Sequence, residues 1–173
     1  MSLDRHSDDR GYLSELLSPQ LQSSLGVDEF QQLNFSSSKS SVFRGMHLQT
    51  PPHGQDKLIF CLSGSLMDFV LDVGPTSDTF GQSISVELCG ETPHALFVPG
   101  NYAHGFLSGN QGAQVLYATS KPRSVEHEIS INYKSTSVAS LLTAVPPIIS
   151  ARDAEALDFG EFLSSQFGEG PIR

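Results

Sequence analysis

The chain has 173 residues, 38% of them apolar and 17% charged, with a formal net charge of −9. That length suits one domain with a substantial core, the low charge speaks against disorder, and the acidic balance removes any general attraction to nucleic acid. No apolar run approaches the roughly 20 residues that span a bilayer, and the start, MSLDRHSDDRG, lacks the apolar stretch of a secretion signal; no membrane association and a cytoplasmic location are expected.

Residues 1–11 are polar and read as a flexible arm, or one lent to a neighbouring molecule. YLSELLSPQLQSSL (12–25) has room for a short helical turn, which Pro19 limits. From about Phe30 to Tyr133, short apolar runs are separated by Gly, Pro, Ser and Asn. SLMDFVLDV (65–73) is rich in β-formers, with turn signals at Gly64 and at Gly74-Pro75. QSISVEL (82–88) alternates with period two, Ile84, Val86 and Leu88 facing one way. HALFVP (94–99), HGFLS (104–108) and AQVLYATS (113–120) continue the series. This spacing of about ten residues predicts an all-β sandwich or barrel. DAEALDFGEFLSSQF (153–167) predicts a helix with Asp153 as its cap and Gly160 weakening its middle. Cys61 and Cys89 lie in apolar settings without CxxC spacing and are expected as buried, reduced thiols.

Several strands carry polar residues where a core is expected. In VFRGMHLQ (42–49), Arg44 and His47 are three apart and on a regular strand would face opposite ways. Gly45 between them permits a bulge or twist that turns both to one side. Lys57 shares a face with Ile59 and Cys61, a costly place for a charge unless it is paired or used. His104 follows a Pro/Gly turn, and Tyr117 shares a face with Val115 and Thr119. Asp68 and Asp72 interrupt an apolar strand on one parity, which reads as a wet face. A histidine base, a tyrosine acid and a lysine or arginine cation suit proton abstraction beside a carbonyl: the base removes an acidic C–H, the cation holds the enolate oxygen, and the acid returns a proton from the other face. That chemistry requires no metal or organic cofactor. The HLQ of this strand lacks the paired histidines of barrel metal sites, so no metal is expected.

Taken together, RG-x-H (44–47), D-x-x-x-x-S-x-TFG (72–81) and P-x-x-x-AHGF (99–106) resemble the dTDP-4-dehydrorhamnose 3,5-epimerases, sugar-nucleotide epimerases of the cupin superfamily. The likeness runs from DDRGYLSEL (8–16) to PIISARD (147–153). It implies one cupin jelly-roll domain over 1–173, with its core at about 30–133 and short peripheral helices. It also implies a homodimer that exchanges edge strands, and a nucleotide-diphosphate sugar as substrate in polysaccharide biosynthesis. By motif, His47 is the implied base, Asp153 its partner, Tyr117 the acid and Lys57 the holder of the enolate oxygen. Arg44 and His104 would line the sugar pocket, Gln32 and Asn34 would contact substrate, and Arg10 and Glu15 of the D-x-R-G-x-x-x-E element would hold the nucleotide end, from the neighbouring subunit. Where the family carries a tyrosine pair, this chain has Pro122 and Arg123, whose guanidinium can stack on a base instead. The expected activity is epimerisation of a 4-keto-6-deoxy hexose at C3, C5 or both. A 3,4-ketoisomerase and a non-catalytic sugar-nucleotide binder are the alternatives.

Overall fold

The computed structural model describes residues 1–142 and 147–168. Strands β1 (His6–Asp8) and β2 (Gly11–Leu13) form a hairpin, followed by helix α1 (Pro19–Ser24). Then come β3 (Gln32–Ser38), β4 (Phe43–Gln49), β5 (Lys57–Asp72), β6 (Ser83–Cys89), β7 (Ala95–Val98), β8 (Tyr102–Thr119) and β9 (Glu128–Ser130). Short helices α2 (Val138–Leu141), α3 (Ala151–Ala154) and α4 (Phe159–Phe167) close the described chain. Among the described residues, no helix is long and apolar enough to cross a membrane.

β3 to β9 form one antiparallel sheet folded into two layers, held together by β5 and β8, of 16 and 18 residues. The first half of β5 pairs with β7 and with the second half of β8, which also carries β3. The second half of β5 pairs with β6 and with the first half of β8, which continues to β4 and β9. The sequence predicts turns between these halves; the strands instead run on through a bend. Gly64 sits there at φ +73, and a Cβ on it would lie 2.1 Å from the Gly112 carbonyl oxygen, so the two strands cross where no side chain fits.

Apolar residues fill three places. Between the layers lie Ile59, Leu66, Leu88, Val98, Phe106 and Val115. Outside the β6–β5–β8–β4–β9 layer, Phe43, Met46, Phe69, Leu71 and Tyr133 pack under Val138 and Phe162 of the helices. Outside the other layer, Leu58, Phe60 and Ala118 are covered by Leu16, Leu17, Leu21 and Phe30. The polar arm expected at the start is therefore pinned: the Met1 ammonium donates to the Ala95 carbonyl at 2.7 Å. Pro19 does not limit the helix but opens it, at a position that needs no N–H donor, behind the Ser18 cap. The single helix expected over 153–167 is two. Ser150 caps α3, and Asp158 with Glu161 forms the capping box of α4. Asp153 caps nothing; it lies inside α3, buried.

Candidate active site

Period-two alternation sends every second residue of the central strands between the layers. At the end near α3 those residues are polar and line a cavity of about 470 Å³, within the range of small-molecule sites. One wall is the β3–β8–β5 layer. There Lys57 sits opposite Thr119, Ile59 opposite Tyr117, and Asn34 on the far side of Tyr117. The facing wall is β4 with the first half of β8, where His47 pairs with His104. Arg44 and His47 both open into the cavity because the β4–β8 register slips between them, while Met46 turns outward into the core. Gly45 makes this possible: at φ +141 it lies so close to β8 that a Cβ would meet the Gly105 Cα at 2.5 Å.

His47 donates from Nε2 to Asp153 Oδ1 at 2.6 Å. A carboxylate only accepts, so the shared proton sits on Nε2 and Nδ1 is the basic nitrogen. Burial pushes Asp153 up, and the hydrogen bond and charge of His47 outweigh it, holding the carboxyl below its usual range. A second pair lies deeper: His104 donates from Nε2 to Asp68 Oδ2 at 2.8 Å, and Asp68 is fully buried. Burial raises the Asp68 carboxyl against the opposing charges of His104 and Lys57. The Lys57 ammonium is itself pushed down to about 8 by burial, with Asp68, Asp56 and Glu128 pulling the other way. Burial raises the Tyr117 phenol, and Arg44 opposes that rise. The phenol is therefore protonated at neutral pH and able to give a proton.

The cavity thus collects His47, Asp153, Tyr117, Lys57, Arg44 and His104, together with Gln32, Asn34 and Arg123. Gln32 is partly occupied, donating to Asn34 and accepting from the Arg123 backbone N–H. Arg10 and Glu15 are not part of it: Arg10 is 90% exposed on the hairpin, paired with Asp8, and Glu15 is exposed beyond β2. Asp68 and Asp72 correct the wet-face reading, since both are buried. Asp72 accepts from the Ser77 and Thr79 hydroxyls and from Gly74 N–H, closing the turn before β6. Sequence reasoning passed over Glu128 and Arg152, which line the same cavity and pair with each other. Cys61 is buried and Cys89 half-buried, both as free thiols.

Known proteins resemble the chain in sequence and in fold. The dTDP-4-dehydrorhamnose 3,5-epimerase of Shigella flexneri is 31% identical over 154 residues, which cover 88% of this chain and 85% of that protein. The rmlC epimerase of Mycobacterium tuberculosis superposes with a TM-score of 0.89 at 31% identity, covering 95% of this chain and 85% of its own. A 3′-monoepimerase of Streptomyces bikiniensis, solved with dTDP-quinovose, superposes with a TM-score of 0.87 at 27% identity, covering 97% of this chain and 85% of its own. The fold is the cupin-type jelly roll of these epimerases. Residues 1–161 match the sequence model of dTDP-4-dehydrorhamnose 3,5-epimerase, and on that match and these likenesses the chain belongs to the dTDP-4-dehydrorhamnose 3,5-epimerase family of isomerases.

Proposed function

We propose that the protein epimerises a dTDP-linked 4-keto-6-deoxy hexose at C3, C5 or both. The observation that carries this reading is the opposition of two groups across one cavity: the His47 imidazole on β4 and the Tyr117 phenol in the facing layer. A ketone at C4 acidifies the hydrogens on both neighbouring carbons. His47 Nδ1 takes the C3 proton, the C–H electron pair becomes the C3–C4 double bond, and the C4 oxygen gains the negative charge. Lys57 stabilises that enolate oxygen while it remains protonated. Collapse of the enolate with a proton from the Tyr117 hydroxyl, delivered to the opposite face, inverts the carbon. A ring flip brings C5 to the same pair. Asp153 keeps the His47 tautomer fixed and stabilises the imidazolium as it forms. Arg44, His104 and Asn34 surround the sugar, and Arg123, a half-exposed residue of the cavity lining, takes the nucleotide end.

The reading includes a homodimer, because Arg10 and Glu15 lie outside their own chain's cavity and suit a neighbour's. It also includes a cytoplasmic setting, which suits two free thiols. The test is incubation with the dTDP-linked 4-keto sugar in deuterated water, read by mass and NMR. Wild type incorporates deuterium and inverts configuration; His47→Asn loses both, by about a thousandfold or more. Tyr117→Phe keeps exchange at the first carbon and loses inversion. Full exchange in His47→Asn removes that residue from the base role, and equal loss of both readouts in Tyr117→Phe removes Tyr117 from the acid role.

A further inference from the structure

A second cavity, of about 190 Å³, opens outside the β3–β8–β5 layer. It shares no lining residue with the cavity described above. Four stretches distant in sequence meet there, within 3–5, 12–16, 60–62 and 90–94. The first is held by its backbone: Leu3 N–H donates to the Pro93 carbonyl at 2.6 Å. The β1–β2 hairpin is not held in this way. All six residues of its strands are exposed, and a two-stranded hairpin is marginal by itself.

Leu3, Leu16, Phe60 and Pro93 give the cavity an apolar wall. The chain has 19 acidic residues, yet none lines this cavity. Arg5 does, and its guanidinium carbon lies 3.8 Å from the centre of the Tyr12 ring. Stacking takes one face of the guanidinium and leaves its N–H edges. Among the described residues, Arg5 has no carboxylate partner. A ligand carboxylate fits such an edge with two parallel hydrogen bonds. Size narrows the rest of the ligand. An apolar cavity of about 150 Å³ holds a benzene ring, so this one admits a ring of that size with one small substituent.

We propose that this cavity is a second ligand site, for a carboxylate carried on an aromatic ring or an apolar body of that size, and that its occupant fastens the β1–β2 hairpin to the barrel. Tyr12 belongs to the hairpin and Phe60 to β5, so one ligand touches both. An exposed ion pair alone contributes little. The buried ring supplies the affinity, and the Arg5 pair supplies the choice of an anion. The site does not depend on the epimerase reading.

Benzoate is the probe, titrated into the full chain by calorimetry. It should bind once per chain with a Kd of about 1 mM or below. Benzamide, neutral and of the same shape, should bind at least about tenfold more weakly. Arg5→Met keeps an apolar stem without the charge and should weaken benzoate to the level of benzamide. Leu62→Asp, at a lining side chain 41% exposed, adds a competing carboxylate and should do the same. Both changes lie at exposed positions, so each variant should unfold at the wild-type temperature. Amide hydrogen exchange across 6–13 should slow by about threefold or more when benzoate saturates the protein. Binding that survives in both variants, or that Lys57→Met abolishes in their place, puts the anion in the other cavity and overturns the proposal. So does a lack of saturable binding, equal binding of benzamide, or unchanged exchange in the hairpin.

Discussion

Lys57 holds its charge where burial works against it, and this gives the site a pH limit. Burial pushes the ammonium down to about 8. Below that value Lys57 is a cation able to hold an enolate oxygen; above it, the charge is gone. Activity on a 4-keto sugar is therefore expected to fall as pH rises through about 8, by about tenfold per unit beyond it. Tyr117 is not the source of such a limb, because burial holds its phenol above the ordinary tyrosine value. Asp68→Asn withdraws one of the negative charges that pull Lys57 up, so its limb should move to lower pH. Profiles of kcat/KM against pH for both proteins check this, and an unmoved limb in Asp68→Asn separates the Lys57 proton from the rate. At this scale the sequence was partly legible. Period-two alternation placed Lys57 with Ile59 and Tyr117 with Val115, since parity along a strand is local. Parity does not say which side is enclosed, and Asp68 was misread for that reason: its partner His104 is 36 residues away on another strand. Glu128 does alternate with Ile129 and Ile131, but a three-residue strand does not reveal what its polar face meets, and its pairing with Arg152 exists only once β9 and α3 come together.

The element on which the proposed chemistry depends is β4, seven residues with one glycine. Its slip against β8 lets Arg44 and His47 share a wall although they are three apart. Gly45→Ala would put a Cβ 2.5 Å from the Gly105 Cα at a φ of +141 that side chains rarely adopt, so the two strands must part. The expected cost is about 2–4 kcal/mol of folding stability, with a fall of about a hundredfold in deuterium exchange, as for a catalytic group displaced by about 1 Å. Urea unfolding and exchange on the same preparation check both, and a destabilised variant with wild-type exchange would free His47 from dependence on this slip. The Gly45 bulge was readable because two polar residues at the wrong spacing demanded one. Gly64 was not: a glycine between two apolar runs gives the same signal for a chain-reversing turn as for a bend inside a 16-residue strand. Asp153 shows the same limit, since an acidic residue ahead of helix formers reads as a cap until tertiary contact with His47 claims its carboxylate.

For the whole molecule, the problem is how a chain of net charge −9 holds a diphosphate. Its own cavity offers Arg44, Arg123 and Arg152, while Arg10 stands 90% exposed on the hairpin, outside that cavity. Among the described residues, the surface also carries an unfinished edge. β3 pairs with β8 on one side, and its outward residues Leu33 and Phe35 are 63% and 59% exposed. Aligned apolar residues on an open strand edge form a surface that a second copy can cover, and in the proposed dimer the partner's Arg10 and Glu15 then complete the nucleotide end. Leu33→Glu/Phe35→Glu alters side chains already in solvent, so each chain should keep its fold with little change in stability. Light scattering should then give a mass of 18.7 kDa where wild type gives twice that. The same variant should lose about tenfold or more in KM for the dTDP-linked sugar, because two charge-assisted contacts leave with the partner. It should keep its deuterium exchange at saturating substrate, since His47, Asp153, Tyr117 and Lys57 all come from one chain. A monomeric variant with an unchanged KM would show that each chain holds the nucleotide alone. Loss of exchange even at saturation would mean that the partner supports the chemistry itself as well as the nucleotide end.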